Sequence, residues 1–286
     1  VARSGSFVLP GFYGATVDGA IKLFQRGGGD ITGAIVARCL DADLYENWTD
    51  VSGFLSADPR IVQNPRAIGR ITFDEMRELS YMGASVLQEE AIFPVREANI
   101  PIQIKNTNRP EDTGTVIRET ADGDTNEHLI TGIAGKKDFL AIHVKKAHMS
   151  NEVGVISRAL NIVERYGVSV EHIPTGVDSF GIVVNASDVK DTVYSIISDI
   201  RREIEPDDIT MVDRLALVSV VGRNMSRRSG TSGKIFGALG NAGVNIRMIT
   251  QSSEEISIIV GVDNADFDRT IGVIYNGFVR DEMVSR

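Results

Sequence analysis

The chain has 286 residues, 42% of them apolar, and a formal net charge of −9 from 30 basic and 39 acidic side chains. That is enough for about two domains with real cores, and it excludes wholesale disorder. With no clustered stripe of Lys and Arg, the balance argues against nucleic acid or an anionic membrane as partner, and no apolar run approaches the ~20 residues that span a bilayer.

The chain opens Val-Ala-Arg-Ser, and its first apolar run, FVLPGFYG (7–14), reads as a strand entering a loop. The expectation is therefore the middle of a domain whose earlier part lies outside this sequence; no signal peptide is visible. FQRGGGDITGAIVA (24–37) then sets an arginine, three glycines and an aspartate before a helical run. Two readings stay open: a cradle of bare N–H groups for an anion at a helix N-terminus, or a tight strand-to-helix turn with a charged rim. Residues 30–40 place Ile31, Ala34, Ile35 and Cys39 at helical spacing, with Asp30 or Thr32 as the cap. Cys39, the single cysteine, reads as a small core residue in a reducing, cytoplasmic compartment.

ADLYENWTDV (42–51) is strand-like, and SGFLSADPRIV (52–62) is a loop with a sharp turn. TFDE (72–75) is a capping box opening a helix with Met76, Leu79 and Gly83 on one side, and IPIQIKNT (100–107) reads as a buried strand. Strands alternating with helices imply an α/β fold, a mainly parallel sheet with helices on both faces. The polar stretch 108–128 marks a domain boundary.

The second half contains an internal repeat. GVISRAL (154–160) matches GKIFGAL (233–239), and GVSVEHI (167–173) matches GVNIRMI (243–249); the offsets of 79 and 76 imply a second helix three residues shorter. The 76-residue register is then expected to hold through DSFGIVV (178–184) and EEISIIV (254–260). Each copy has a preceding strand, FLAIHVK (139–145) or LALVSVV (215–221), and a following helix, giving the split βαβ order of a ferredoxin-like βαββαβ module. Pairing two such small modules sheet to sheet would bury more surface. His143, His148 and His172 lack metal-ligand spacing, so no metal site is expected. NMSRRSGTSG (224–233) reads either as a phosphate loop or as the same helix-start loop that copy one uses.

Taken together, PGFYG (10–14), RGGGDITGA (26–34), WTDVSGFLSADPRIV (48–62), MGASVLQEEAIFPV (82–95) and IPIQIKNT (100–107) resemble successive motifs in the C-terminal half of the aspartate kinase domain. The repeats at 149–179 and 219–258 resemble that family's tandem amino-acid-sensing ACT domains. The resemblance implies an amino-acid-kinase portion at 1–118 and ACT modules at 129–208 and 209–286. It also implies transfer of phosphate from Mg-ATP to L-aspartate, giving 4-phospho-L-aspartate on the way to lysine, threonine and methionine, with feedback by an end product and a homodimer formed through the ACT modules. Arg26, Gly28, Gly29 and Asp30 become the aspartate site, Arg26 forking onto a carboxylate; Arg26 and Asp30 become the catalytic pair. Thr49, Asp50, Phe54, Leu55, Asp58, Arg60 and Ser85 become the nucleotide site, with a purely local turn-shaping role as the alternative for Asp58.

Met149, Ser150, Asn151, Glu152, Gly154, Val155 and Ile156, with Ser169, Val170, Glu171 and Asp178, become the effector site. The carboxylates Glu152, Glu171 and Asp178 around one expected pocket favour lysine over threonine. Three departures stand out: Gly29 where the family usually has serine, Leu55 where tyrosine is common, and Ser85 in place of a frequent lysine. The family's Lys-Phe-Gly-Gly motif is absent from this sequence, so the chain by itself is expected to be inactive. The competing readings are a non-catalytic, dimer-forming amino-acid sensor and a kinase acting on glutamate or a related carboxylate. No fused homoserine dehydrogenase follows within the sequence.

Overall fold

A computed structural model of the chain describes residues 5–84, 86–87, 92–120, 128–226 and 228–280. The chain forms two compact units, one of residues 1–132 with 221–224, the other of residues 133–220 with 225–286.

In the first unit, β1 (Tyr13–Ala15) and β2 (Ile21–Leu23) make a short antiparallel hairpin. The run at 7–14, expected to be a strand, is thus extended only at its end. Helix α1 (Gly28–Cys39) follows, then β3 (Tyr45–Thr49), β4 (Arg70–Thr72), α2 (Phe73–Tyr81), α3 (Ile92–Glu97), β5 (Ile102–Asn106) and β6 (Thr115–Arg118). The four-stranded sheet runs β3-β5-β6-β4. The pairs β3/β5 and β4/β6 are parallel and β5/β6 antiparallel, so the sheet is mainly parallel. Ile102 and Ile104 alternate with half-buried residues along β5, which gives that strand one core face rather than two.

Thr72 caps α2 in the full capping box the sequence announces: its hydroxyl accepts from Glu75 N–H, and Glu75 returns a bond to Thr72 N–H. Helix α1 differs from its expectation. Its N-cap is Gly27, with no side-chain cap, and Thr32 instead donates to Gly28 O and accepts from Phe12 N–H. Ala34 and Ala37 form its buried stripe, whereas Ile35 and Cys39, one turn apart, are exposed. Cys39 is not a core residue, because five residues past Ala34 places it about 140° round the helix.

The second unit contains both repeats, and their true register is simpler than the sequence match. Strands β7 (Gly132–Lys145) and β9 (Asp208–Val221) each have 14 residues, offset by 76. Both carry one left-handed non-glycine residue at the same place, Asp138 (φ 68°) and Arg214 (φ 54°). Helices α4 (Val155–Arg165) and α6 (Thr231–Asn241) are both 11 residues long, again offset by 76, and bury Val155, Ala159 and Val163 against Thr231, Ile235 and Leu239. The second helix is therefore not shorter. The shared Gly-x-Ile-x-x-Ala-Leu pattern had aligned Gly154 with Gly233, while the backbone equates Gly154 with Gly230.

From β8 (Ser179–Asn185) and β11 (Ser257–Asp263) onward the offset is 78, not the expected 76. The two extra residues lie in the hairpin of copy two, between Met248, which pairs with Gly261, and the start of β11; the equivalent pair in copy one is His172 with Val183. The helices α5 (Val193–Ile204) and α7 (Phe267–Ile274) keep that offset, Val193 and Ile196 matching Ile271 and Ile274 in the core.

Strand β10 (Met248–Gln251) has no full counterpart in copy one. There the segment expected to be a strand makes only the bridges His172–Val183 and Thr175–Phe180, because Pro174 between them has no N–H to donate. The copies join edge to edge through their first strands in one five-stranded sheet, β10-β11-β9-β7-β8.

Candidate functional site

The first candidate lies at the N-terminus of α1. Gly27 holds φ 92°, the left-handed conformation that glycine adopts without strain, and it turns the chain into the helix. A Cβ on Gly28 would sit 2.4 Å from Phe24 Cβ, so only glycine fits there. Gly28 N–H donates to Gln25 O and Asp30 N–H to Gly27 O, at 3.0 and 2.9 Å. Gly29 N–H therefore remains as the donor with no acceptor among the described residues, and a Cβ built at Gly29 meets nothing within 4 Å. Of the two glycines expected to present N–H groups, Gly29 is the one open to a ligand. Arg26 is exposed beside it, with no partner among the described residues.

Asp30 is fixed from below by β3. Asn47 Nδ2 donates to Asp30 Oδ1 at 2.9 Å and to Tyr45 Oη at 3.1 Å, and Tyr45 Oη donates to Asp30 O at 3.2 Å. Asn47 is only 6% exposed, so an amide buried there must have partners. Burial, with the Asp30 charge, pushes the Tyr45 phenol up, against the Asn47 bond, so it stays a donor. The sequence reading missed Tyr45 and Asn47. Their signal was the polar alternation Tyr45, Asn47, Thr49 on one face of a strand next to the Gly-rich loop.

The second candidate is the C-terminal end of the parallel pair β3/β5, where Thr49 lies opposite Asn106. Open α/β sheets bind ligands at such ends. Thr49 Oγ1 donates to Asp50, and Asn106 Nδ2 donates to Ser52 Oγ, which donates to Asp112 at 2.5 Å. Phe54 is 1% exposed, its N–H donates to Thr115 Oγ1 and its carbonyl accepts from Ile68 N–H, so it belongs to the core and is closed to a ligand; Leu55 is exposed at the surface. Asp58 takes the local, turn-shaping role. It accepts Arg60 N–H at 2.8 Å, closing the turn, and its carboxylate takes Arg60 Nε and Nη2 in a fork. That guanidinium bond holds the Asp58 carboxyl below the usual range. Arg60 is thus folded back on Asp58 while its side chain stays 87% exposed. Ser85 lies outside the described residues.

In the second unit the expected effector residues divide into two groups. Ser169, Val170 and Glu171 line a cavity of about 700 Å³ with Leu160, Asn161, Glu164 and His172. Burial holds the His172 imidazole below its usual pKa, partly opposed by Glu171, and its Nε2 is buried without a partner. Met149, Ser150 and Asn151 form a 3-10 turn leading to Gly154 (φ 82°), the N-cap of α4, with Val155 buried and Ile156 packed on the core behind it. Glu152 there bonds Lys146 and Arg158; burial opposes its ionisation, but these cations hold it ionised below the usual range. Asp178 is exposed, and its carbonyl accepts Lys146 N–H at 2.9 Å. The three carboxylates therefore do not share a pocket: Glu171 faces the cavity, and Glu152 and Asp178 lie outside its lining.

Copy two starts α6 in the same way at Gly230 (φ 85°), with a cavity of about 420 Å³ at that N-terminus. Among the described residues no three His, Cys, Asp or Glu side chains gather as a metal cluster, and no helix is long and apolar enough to cross a membrane.

Residues 3–106 match the amino acid kinase family, and residues 218–278 an ACT domain. The chain is 40% identical over 284 residues to aspartokinase 3 of Bacillus subtilis, covering 99% of this chain and 62% of that protein. It is 52% identical to the crystal structure of Clostridium acetobutylicum aspartate kinase, with a TM-score of 0.90 over 94% of this chain and 62% of that one. Escherichia coli aspartokinase III, solved with aspartate and ADP in its R-state, gives 26% identity and a TM-score of 0.75 over 93% of this chain and 59% of that one. The same enzyme solved with lysine and aspartate in its T-state gives an identical score and identity.

Proposed function

Because the chain belongs to the aspartate kinase family, we propose that it carries the aspartate site, part of the nucleotide site and the amino-acid sensor of an ATP-dependent aspartate kinase. The chain spans about 62% of the length of the relatives first matched, so this activity is assigned to the whole protein, with the fragment alone inactive. The observation that carries the reading is the open start of α1: Arg26, a free Gly29 N–H and an Asp30 anchored by buried Asn47 converge at one helix N-terminus.

Phosphoryl transfer from ATP to a carboxylate needs two anions held in line rather than covalent help from the protein. Arg26 would fork onto a carboxylate of L-aspartate, which the Gly29 N–H and the positive helix end also favour. Asp30 would take the substrate's ammonium. Thr49, Asp50 and the Asp58–Arg60 turn would meet the nucleotide; Arg60 must release Asp58 to reach a phosphate, which its exposure permits. Magnesium arriving with ATP neutralises phosphate charge, and the oxygen donors Thr49 and Asp50 suit so hard a cation.

Residues 129–208 and 209–286 would be the two ACT modules, dimerising and binding an end-product amino acid at a soluble, cytoplasmic enzyme. Lysine is the favoured effector, because Glu171 sets a carboxylate in the cavity of about 700 Å³. The test is ADP release by the full-length protein with Mg-ATP and either aspartate or glutamate. Turnover with aspartate is expected; turnover with glutamate alone, or with neither, overturns the assignment. Calorimetry with lysine and with threonine decides the effector, and tighter threonine binding would reverse that choice.

A further inference from the structure

The loop that follows β5 lies at the same sheet end as Thr49 and Asp50, yet it contributes no residue to the aspartate or nucleotide set. Asn106, the last residue of β5, pairs with Thr49 in the parallel ladder, and Thr107 N–H and Oγ1 both donate to Thr49 O, at 2.8 and 3.0 Å. Arg109 then folds back on Asn106 in an isolated antiparallel bridge, its N–H donating to Asn106 O at 3.2 Å. Arg109 therefore leaves the backbone beside the open end of the β3/β5 pair.

The chain around it is pinned. Asn106 Oδ1 accepts Asn108 N–H at 2.8 Å, Asp112 N–H donates to Arg109 O at 3.1 Å, and Lys105 Nζ donates to the carbonyls of Pro110 and Asp112, at 3.0 and 2.6 Å. Ser52 ties the loop to the turn after β3, accepting from Asn106 Nδ2 and donating to Asp112 at 2.5 Å. Against that network the Arg109 guanidinium is exposed, with no hydrogen bond or ion pair among the described residues. A fixed loop presenting one unpaired cation loses little order when the cation closes on a ligand.

Charge gives that cation a task, since a nucleotide polyphosphate needs cations and N–H donors around it. Among the residues assigned to the nucleotide site, Arg60 is the one basic side chain, and Asp58 already holds its guanidinium in a fork; Ser85 has no charge. Asp50 and Glu111 are exposed acids of the same loops, but neither pairs with Arg109, and Asp50 is already assigned to the magnesium that arrives with ATP. We propose that Arg109 binds a phosphate group of the nucleotide, a role that rests on the nucleotide-site reading above. Its planar fork matches two oxygens of a phosphate and supplies the charge that Arg60 has committed to Asp58.

Steady-state ADP release by the full-length protein tests it, with ADP and adenosine as competing inhibitors. Arg109→Gln should raise the ATP KM about tenfold, by loss of one charge-assisted fork, and weaken ADP inhibition alike, leaving the aspartate KM and adenosine inhibition unchanged. Arg109→Lys should recover most of that loss, because an ammonium still meets phosphate as a point charge. Arg118→Gln removes another exposed charge, at the opposite end of the sheet because β6 runs antiparallel to β5, and should alter none of these values. Asp50→Asn separates the inference from its premise. If Asp50→Asn raises the ATP KM and Arg109→Gln does not, the nucleotide site stands without Arg109; if neither raises it, the site itself is misplaced and the inference falls with it. Equal weakening of ADP and adenosine by Arg109→Gln, the mark of a distorted loop, also overturns the proposal.

Discussion

Helix α2 and the trio α1, α4 and α6 start in opposite ways. At α2 a side-chain box closes the N-terminus: Thr72 and Glu75 satisfy one another's backbone N–H, and Glu75 goes on to bind Thr131 and Arg223. At α1, α4 and α6 a left-handed glycine (Gly27, Gly154 or Gly230, φ 92°, 82° and 85°) turns the chain into the helix with no side-chain cap at all. Val155, Ile156 and Ser157 in α4, like Thr231, Ser232 and Gly233 in α6, keep N–H groups without acceptors among the described residues. A box spends the helix dipole on stability, whereas a glycine start leaves it available to an anion. The difference separates a helix that holds the fold from helices that can hold ligands.

Substitutions should expose that contrast, most strongly at the box. Glu75→Ala removes the buried carboxylate that accepts from Thr131, Thr72 N–H and Arg223, and a loss of about 3–5 kcal/mol is expected in urea unfolding. The same carboxylate gives a pH signature. Burial opposes its ionisation, but Thr131, Thr72 and Arg223 outweigh that and lower its folded pKa beneath the unfolded 4.5. Its contribution is therefore complete above that unfolded value and lost as pH falls through the lower, folded one. Acid unfolding of Glu75→Gln should lack this component.

At the glycine starts the effects are smaller and fall on binding. Gly28→Val drives a side chain into Phe24, costing about 1–3 kcal/mol, and should abolish aspartate turnover in the full-length protein. Asn47→Ala frees Asp30 and should lower stability by about 1–2 kcal/mol while raising the aspartate KM more than the ATP KM. Gly154→Ala and Gly230→Ala force a side chain into the left-handed region and should each cost about 1–2 kcal/mol; equal losses would confirm that the two starts are equivalent. The smallest effect expected is at His172. Its folded pKa lies below the unfolded 6.5, so the unfolded chain takes up protons first and stability falls as pH drops beneath about 6.5. His172→Gln should flatten that slope.

These same residues show what the sequence could and could not disclose. Thr72-Phe-Asp-Glu75 was legible because a capping box is local: three residues of separation decide it. The alternation of strands and helices in the first unit, and the existence of the repeat, were legible for the same reason. The register of the repeat was not. A shared Gly-x-Ile-x-x-Ala-Leu motif competed with the backbone equivalence of Gly154 and Gly230, and only burial of Val155 against Thr231 resolves it. Cys39 was misplaced because Ile31, Ile35 and Cys39 make a plausible apolar stripe, whereas the close approach to the sheet selects the smaller Ala34 and Ala37. The Asn47–Asp30 bond joins residues 17 apart across a turn, and no local pattern encodes it. The separation of Glu152 and Asp178 from Glu171 is likewise tertiary, set by Lys146 and Arg158.

The central claim is that the glycine-started N-terminus of α1, with Arg26 beside it, receives the carboxylate of aspartate. Steady-state ADP release by the full-length protein carrying Arg26→Gln tests this most directly. The account expects the aspartate KM to rise at least about tenfold, matching one lost bidentate fork, with the ATP KM unchanged. An unaltered aspartate KM, or a defect confined to ATP, would contradict it.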